Sequence, residues 1–216
     1  MSDQWLGDYL GAAGADWIKT PNLDRLANEG MKFNRFYAGS AVCTPTRASV
    51  LTGRYPLRTG TAAVTRGLET VRSEEVTIAE VLSQACYATA FHGKWHLGDI
   101  EESYPTNQGF DETLFMPYNQ VLSLWNQVGE GANAVQGVMK QMLPDDPYAV
   151  DKDFGPSDWI MSMEGTKGGE TLEWKSSSLP DYNAIDPECE RRGVNFIRRN
   201  AEAERPFYMA YWPNMT

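Results

Sequence analysis

The chain has 216 residues, with 19 lysines and arginines against 29 aspartates and glutamates, for a formal net charge of −10 at pH 7. At 42% hydrophobic and 12% aromatic residues, it has the composition of a folded chain long enough to bury a core, which excludes wholesale disorder. So acidic a chain lacks the clustered positive charge of a general nucleic-acid binder, and no stretch approaches the roughly 18 consecutive apolar residues of a membrane-spanning helix.

In chain order, Met1 to Tyr9 carries no apolar run, so no signal peptide is read there. Thr20 followed by Pro21 marks a helix start, with Leu23, Leu26 and Ala27 on one face and Gly30 closing it. Met31 to Ala38, with Phe33, Phe36 and Tyr37, reads as a strand. A second helix is predicted from Pro45 to about Thr52, ended by Gly53. Thr77 and Glu80 form a capping box for a third helix running to about Ala85. Tyr87 to Phe91 is an apolar run suited to a buried strand, and Gly93 to Gly98 reads as a polar loop behind it.

From about 118 to 182 the chain is rich in Gly, Asn, Asp, Pro and Met, with Trp125, Trp159 and Trp174 scattered through it. This predicts an irregular insertion, either part of a substrate cleft or a surface elaboration. Ile185 to Asn200 suits an amphipathic helix, and Pro206 to Trp212 is the near-continuous apolar run of a buried parallel strand. Alternating element types point to an α/β layered fold, in which chemistry gathers at the loops behind strand ends.

The three cysteines, Cys43, Cys86 and Cys189, form no C-x-x-C pair and are odd in number, which argues against a zinc site and excludes a disulfide framework. Cys43 stands at the start of a predicted helix, where unpaired N–H groups and the helix dipole favour an anion, and Arg47 follows one turn later. A lone cysteine is more often a buried structural thiol. The surrounding string changes the balance. Cys43-Thr44-Pro45-Thr46-Arg47-Ala48-Ser49-Val50-Leu51-Thr52-Gly53-Arg54 resembles, over its whole length, the sulfatase signature C-x-[PS]-x-R continued by L-T-G-R.

Other segments resemble the same family in order and spacing. Ile18 to Ala27 is similar to its early structural helix, and Gly93-Lys94-Trp95-His96-Leu97-Gly98 to its active-site lysine–histidine loop. Gly109-Phe110-Asp111-Glu112 is similar to the segment after that loop. Of the two histidines only His96 falls on the motif, which leaves His92 to the core. Asp3-Gln4 resembles the Asp-Gln form of the family's first metal pair, found also in phosphonate monoesterase-like members.

The resemblance implies an alkaline-phosphatase-like α/β/α sandwich with a mostly parallel sheet. Residues 1–216 would be the N-terminal part of one catalytic domain, incomplete at both ends. It implies conversion of Cys43 to 3-oxoalanine (formylglycine) by a formylglycine-generating enzyme. Asp3, Gln4 and modified Cys43 would ligate a divalent cation, calcium with magnesium as the alternative. In the implied hydrolysis of sulfate esters a hydroxyl of the hydrated aldehyde attacks sulfur. Arg47 holds the hydrate, Lys94 bridges it and the sulfate, and His96 is the base that lets sulfate leave. The implied substrate is a sulfated small molecule or carbohydrate. Two alternatives stay open: a phosphonate or phosphodiester hydrolase of the same superfamily, and a catalytically silent fragment acting as a binding module. The visible chain reads as soluble; a periplasmic or secreted location would need a signal peptide upstream, and otherwise it is cytoplasmic.

Overall fold

The computed structural model describes residues 1, 5–64, 70–117, 162–174 and 179–214. Where the sequence carries explicit start and stop signals, its helices obey them. α1 spans Pro21–Glu29 with proline in its first turn. Thr20 does not cap it through its side chain: its hydroxyl donates to Asp24 Oδ1 and accepts from the Gly11 N–H, both at 2.9 Å, tying the preceding turn to the helix. α2 spans Cys43–Thr52 and ends on Gly53, whose φ of 67° lets its N–H reach the Ser49 carbonyl at 2.9 Å. That left-handed closing turn is cheap only for glycine.

A short α3 (Pro56–Thr59) follows, then α4 (Ile78–Gln84). The capping box of α4 is complete: Thr77 Oγ1 accepts from the Glu80 N–H at 3.1 Å and the Glu80 carboxylate from the Thr77 N–H at 2.7 Å.

The strands form one five-stranded sheet of order β4-β3-β2-β1-β5. β1 (Ala88–Lys94) is its centre and is buried along its whole length. β2 (Glu112–Met116) and β5 (Phe207–Trp212) flank it in parallel, with Gly93 opposite both Phe115 and Trp212. β3 (Met163–Thr166) adds antiparallel to β2, and β4 (Thr171–Glu173) antiparallel to β3. β3 therefore opposes the common direction of the other four. α5 spans Leu179–Ala201.

Two apolar layers sandwich this sheet. On one face Phe91, Phe115, Ala210 and Trp212 pack with Ala48 and Leu51 of α2 and Ala79 of α4. On the other, Leu114 and Met116 pack with Ile185 and Cys189 of α5, and Ala88 and Ala90 with Phe196. The predicted α/β/α sandwich is thus the fold observed, since a sheet buried on both faces needs a helical layer on each.

Three expectations are corrected. Met31–Ala38 is no strand: Met31, Phe33, Phe36 and Tyr37 are 66–83% exposed. Aromatic composition reports fitness for a packed pleated surface, and among the described residues these have neither a pairing strand nor a layer above them. The polar loop read at Gly93–Gly98 begins two residues later, since Gly93 and Lys94 end β1, and all six residues are buried. Among the described residues of 118–182, β3 and β4 join the sheet and α5 begins at Leu179, six residues before its predicted start. The remainder of that stretch, 118–161 and 175–178, lies outside the described residues.

Candidate active site

The start of α2 and the carboxyl end of β1 meet at one place. Cys43 is the first residue of α2 and is half-buried, beside the N–H groups that a helix leaves unpaired in its first turn. Arg47, one turn on, is completely buried. Its Nη1 donates to the Lys94 carbonyl oxygen at 2.5 Å, and its guanidinium carbon lies 4.9 Å from the ring centroid of Trp212. A buried guanidinium needs such partners, because removal from water leaves five N–H donors and a charge to satisfy. Trp212 supplies the π face and is the last residue of β5. Sequence reasoning placed Trp212 in a strand and missed this role.

Lys94 and His96 stand at the end of β1 and in the turn beyond it, each 1% exposed. His96 takes a φ of 53°, a left-handed conformation that costs a residue other than glycine about 1–2 kcal/mol. Trp95 offsets that cost. Its backbone N–H reaches the Met116 carbonyl at 2.9 Å, and its indole N–H the Ser103 carbonyl at 2.9 Å. The indole itself meets Phe91 and Phe110 edge-to-face. A fully buried anchor thus separates the two polar side chains that the motif singles out.

Gly93 makes the β1–β5 approach close. Its φ is 114°, and a Cβ there would lie 1.8 Å from the Trp212 carbonyl oxygen. Only glycine lets β5 bring Trp212 under Arg47 in this register. Arg54, the last residue of the cysteine signature, serves a separate ion pair. It donates to Glu75, a carboxylate 3% exposed, at 2.6 Å, with Arg72 at 3.3 Å on the other side.

The structure joins Arg47 directly to the Lys94 backbone, with Cys43 four residues before Arg47 at the start of α2 and His96 two residues beyond Lys94, just after β1. Asp3 and Gln4 lie outside the described residues. Met1 donates its terminal ammonium to the Tyr211 carbonyl on β5 at 3.0 Å. Among the described residues no group of three or more His, Cys, Asp or Glu side chains could hold a metal ion, and no helix is long and apolar enough to cross a membrane.

A helix whose buried Arg47 is fastened to the carboxyl ends of two parallel strands defines an α/β protein with buried polar side chains at the sheet's strand-end edge. Residues 1–153 match the family model described as Sulfatase, and the chain belongs to the sulfatase family. Arylsulfatase G of Rattus norvegicus is 44% identical over 130 residues, covering 59% of this chain and 24% of that protein. N-acetylgalactosamine-6-sulfatase of Sus scrofa is 42% identical over 127 residues, covering 54% and 24%. The crystal structure of PsFucS1 sulfatase from Pseudoalteromonas sp. superposes with a TM-score of 0.70 at 28% identity, covering 91% of this chain and 38% of that one. The matched part thus spans about a quarter of the length of these curated relatives.

Proposed function

We propose that the protein hydrolyses sulfate esters, releasing inorganic sulfate and an alcohol, and that residues 1–216 supply the N-terminal part of its catalytic domain. The observation that carries this reading is the Arg47–Lys94 hydrogen bond, which ties the turn bearing Cys43 to the strand end bearing Lys94 and His96 in a chain of the sulfatase family.

Position 43 suits formylglycine: it is half-buried at a helix start, with a buried guanidinium one turn away. Once converted by a formylglycine-generating enzyme, it supplies a hydrated aldehyde, a nucleophile toward sulfur that can also collapse to expel sulfate. A divalent cation, calcium or magnesium, would be held by Asp3, Gln4 and position 43 and would supply Lewis-acid polarisation. Arg47, fixed by Lys94 and Trp212, orients the nucleophile and offers charge to oxygens gaining it. Lys94 neutralises the sulfuryl oxygens in a site whose burial strengthens that interaction. His96 takes the proton whose removal lets sulfate depart.

The named activities of the relatives support a sulfated substrate, and a sulfated carbohydrate in particular, as in the N-acetylgalactosamine-6-sulfatase match. The Asp3-Gln4 pair favours one second reading, hydrolysis of phosphonate monoesters or phosphodiesters. Initial rates on an aryl sulfate and an aryl phosphonate monoester, measured after coexpression with a formylglycine-generating enzyme, separate the two. Faster sulfate release supports our reading; preference for the phosphonate replaces it with the second.

A further inference from the structure

The left-handed turn at His96 is held from both sides. Before it, Trp95 is tied to the Met116 and Ser103 carbonyls. After it, the fully buried Leu97 accepts from the Val71 N–H at 2.8 Å. Gly98 draws the same stretch closer still: its φ is 118°, and a Cβ there would stand 2.4 Å from Ser103 Oγ and 2.9 Å from Thr70 Cγ2. Residues 70–72, which form neither helix nor strand, thus run as a strap alongside the turn. Val71 is 1% exposed and belongs to the apolar layer that holds Trp95, Leu97 and, on α2, Ala48 and Leu51.

The strap is fastened at Glu75, a carboxylate 3% exposed. The Glu75 N–H donates to the Arg72 carbonyl at 3.1 Å, the Arg72 side chain donates to Glu75 Oε1 at 3.3 Å, and Arg54 donates to Oε2 at 2.6 Å. Arg54 stands two residues beyond the end of α2. Two routes therefore join α2 to the His96 turn. One runs from Arg47 to the Lys94 carbonyl, ahead of His96; the other runs from Arg54 through Glu75 and Val71 to the Leu97 carbonyl, behind it.

A left-handed residue other than glycine costs about 1–2 kcal/mol and persists only where its surroundings over-determine it. Contacts on both flanks of His96 meet that condition, and the flank behind it depends on a carboxylate whose two oxygens hold arginines from two different segments. From this we infer that Glu75 is a positioning residue for His96: it fixes the strap and, through the Val71–Leu97 hydrogen bond, the turn in which His96 stands relative to α2. The inference rests on the proposed hydrolysis only for the role given to His96.

The test pairs Glu75→Gln, which keeps the side-chain shape and removes its charge, with Arg72→Ala, which removes the half-exposed 3.3 Å partner and leaves Arg54–Glu75 in place. NMR of both variants reads the His96 ring C–H signals, told apart from those of His92 by a His96→Gln reference, and the exchange rate of the Val71 amide. The His96 signals should move and the Val71 amide exchange about tenfold faster or more, with the His92 signals in place. On an aryl sulfate, with rates normalised to the converted fraction of position 43, kcat should fall about tenfold or more in Glu75→Gln and less in Arg72→Ala, with KM within about twofold of the parent's. Arg72→Lys should recover part of the Arg72→Ala loss. Unmoved His96 signals with unchanged Val71 exchange overturn the inference, as does a loss confined to KM. If Glu75→Gln does not fold, the two Arg72 variants decide by the same readouts. Should the fully converted parent release no sulfate, the proposed hydrolysis is what fails, and the His96 and Val71 signals decide the inference.

Discussion

Arg47 of α2 donates to the backbone carbonyl of Lys94 at 2.5 Å while its guanidinium lies 4.9 Å from the ring centroid of Trp212, so one buried side chain joins a helix start to the ends of two parallel strands. Replacing it by lysine keeps the charge but loses the planar fork and the stacking. Arg47→Lys should cost about 1–3 kcal/mol and, for a chain of this size, lower the melting temperature by roughly 2–10 °C. In a double-mutant cycle with Trp212→Leu the two losses should fall short of additive by about 0.5–2 kcal/mol, the signature of a direct contact. Additive losses in chemical denaturation would mean that the ring does not hold the guanidinium.

Gly93 and Gly53 both have positive φ, yet the structure sets different limits on them. A Cβ at Gly93 meets the Trp212 carbonyl oxygen at 1.8 Å, whereas nothing lies within 4 Å of one at Gly53. Gly93→Ala should therefore cost more than about 4 kcal/mol, and Gly53→Ala only about 1 kcal/mol, for backbone strain alone. Thermal unfolding of both variants checks this; equal losses would contradict the close approach of β5 to β1.

Glu75 is a buried carboxylate gripped by two half-exposed arginines. Arg54→Ala removes its 2.6 Å partner and should cost about 1–3 kcal/mol, because the charge that remains is poorly compensated. Adding Glu75→Gln should recover part of that loss. If the double variant is less stable than Arg54→Ala, the carboxylate's charge is not the source of the cost.

Acid stability carries a signature of His92. Its pKa is near 4 in the folded chain against 6.5 for a free imidazole, so between those values the unfolded chain binds the extra proton and stability falls as pH falls. The loss grows from about pH 6.5 downward and is complete below about pH 4, reaching at most about 3 kcal/mol. Glu188, whose pKa the Arg191 hydrogen bond lowers to about 2, contributes its own loss further down, between its ordinary value of 4.5 and about 2. His92→Gln should flatten the melting-temperature profile between pH 6.5 and 4 and leave the lower limb unchanged. A profile indistinguishable from the parent's would contradict the buried, neutral state of the ring.

The sequence made some of this plain because local chemistry dictated it. The Thr77–Glu80 capping box, the Gly53 stop and the apolar run ending at Trp212 each have a local cause, and each appears in the fold. The pairing of the Arg47 and Lys94 segments was legible through motif resemblance, which carries spacing over long separations. Other features depended on tertiary placement. Phe33, Phe36 and Tyr37 have strand composition but, among the described residues, no strand beside them, and Lys94 and His96 look like loop residues yet are each 1% exposed. The part played by Trp212 was hidden because cation–π pairing leaves no spacing pattern.

The most direct test of the central claim joins the state of position 43 to turnover. The protein is coexpressed with a formylglycine-generating enzyme, intact mass gives the fraction in which the Cys43 thiol has become an aldehyde, and the same sample is assayed on an aryl sulfate. We expect sulfate release to rise in proportion to the converted fraction and to vanish in Cys43→Ala. Turnover that persists undiminished in Cys43→Ala, or that is independent of conversion, would contradict the account.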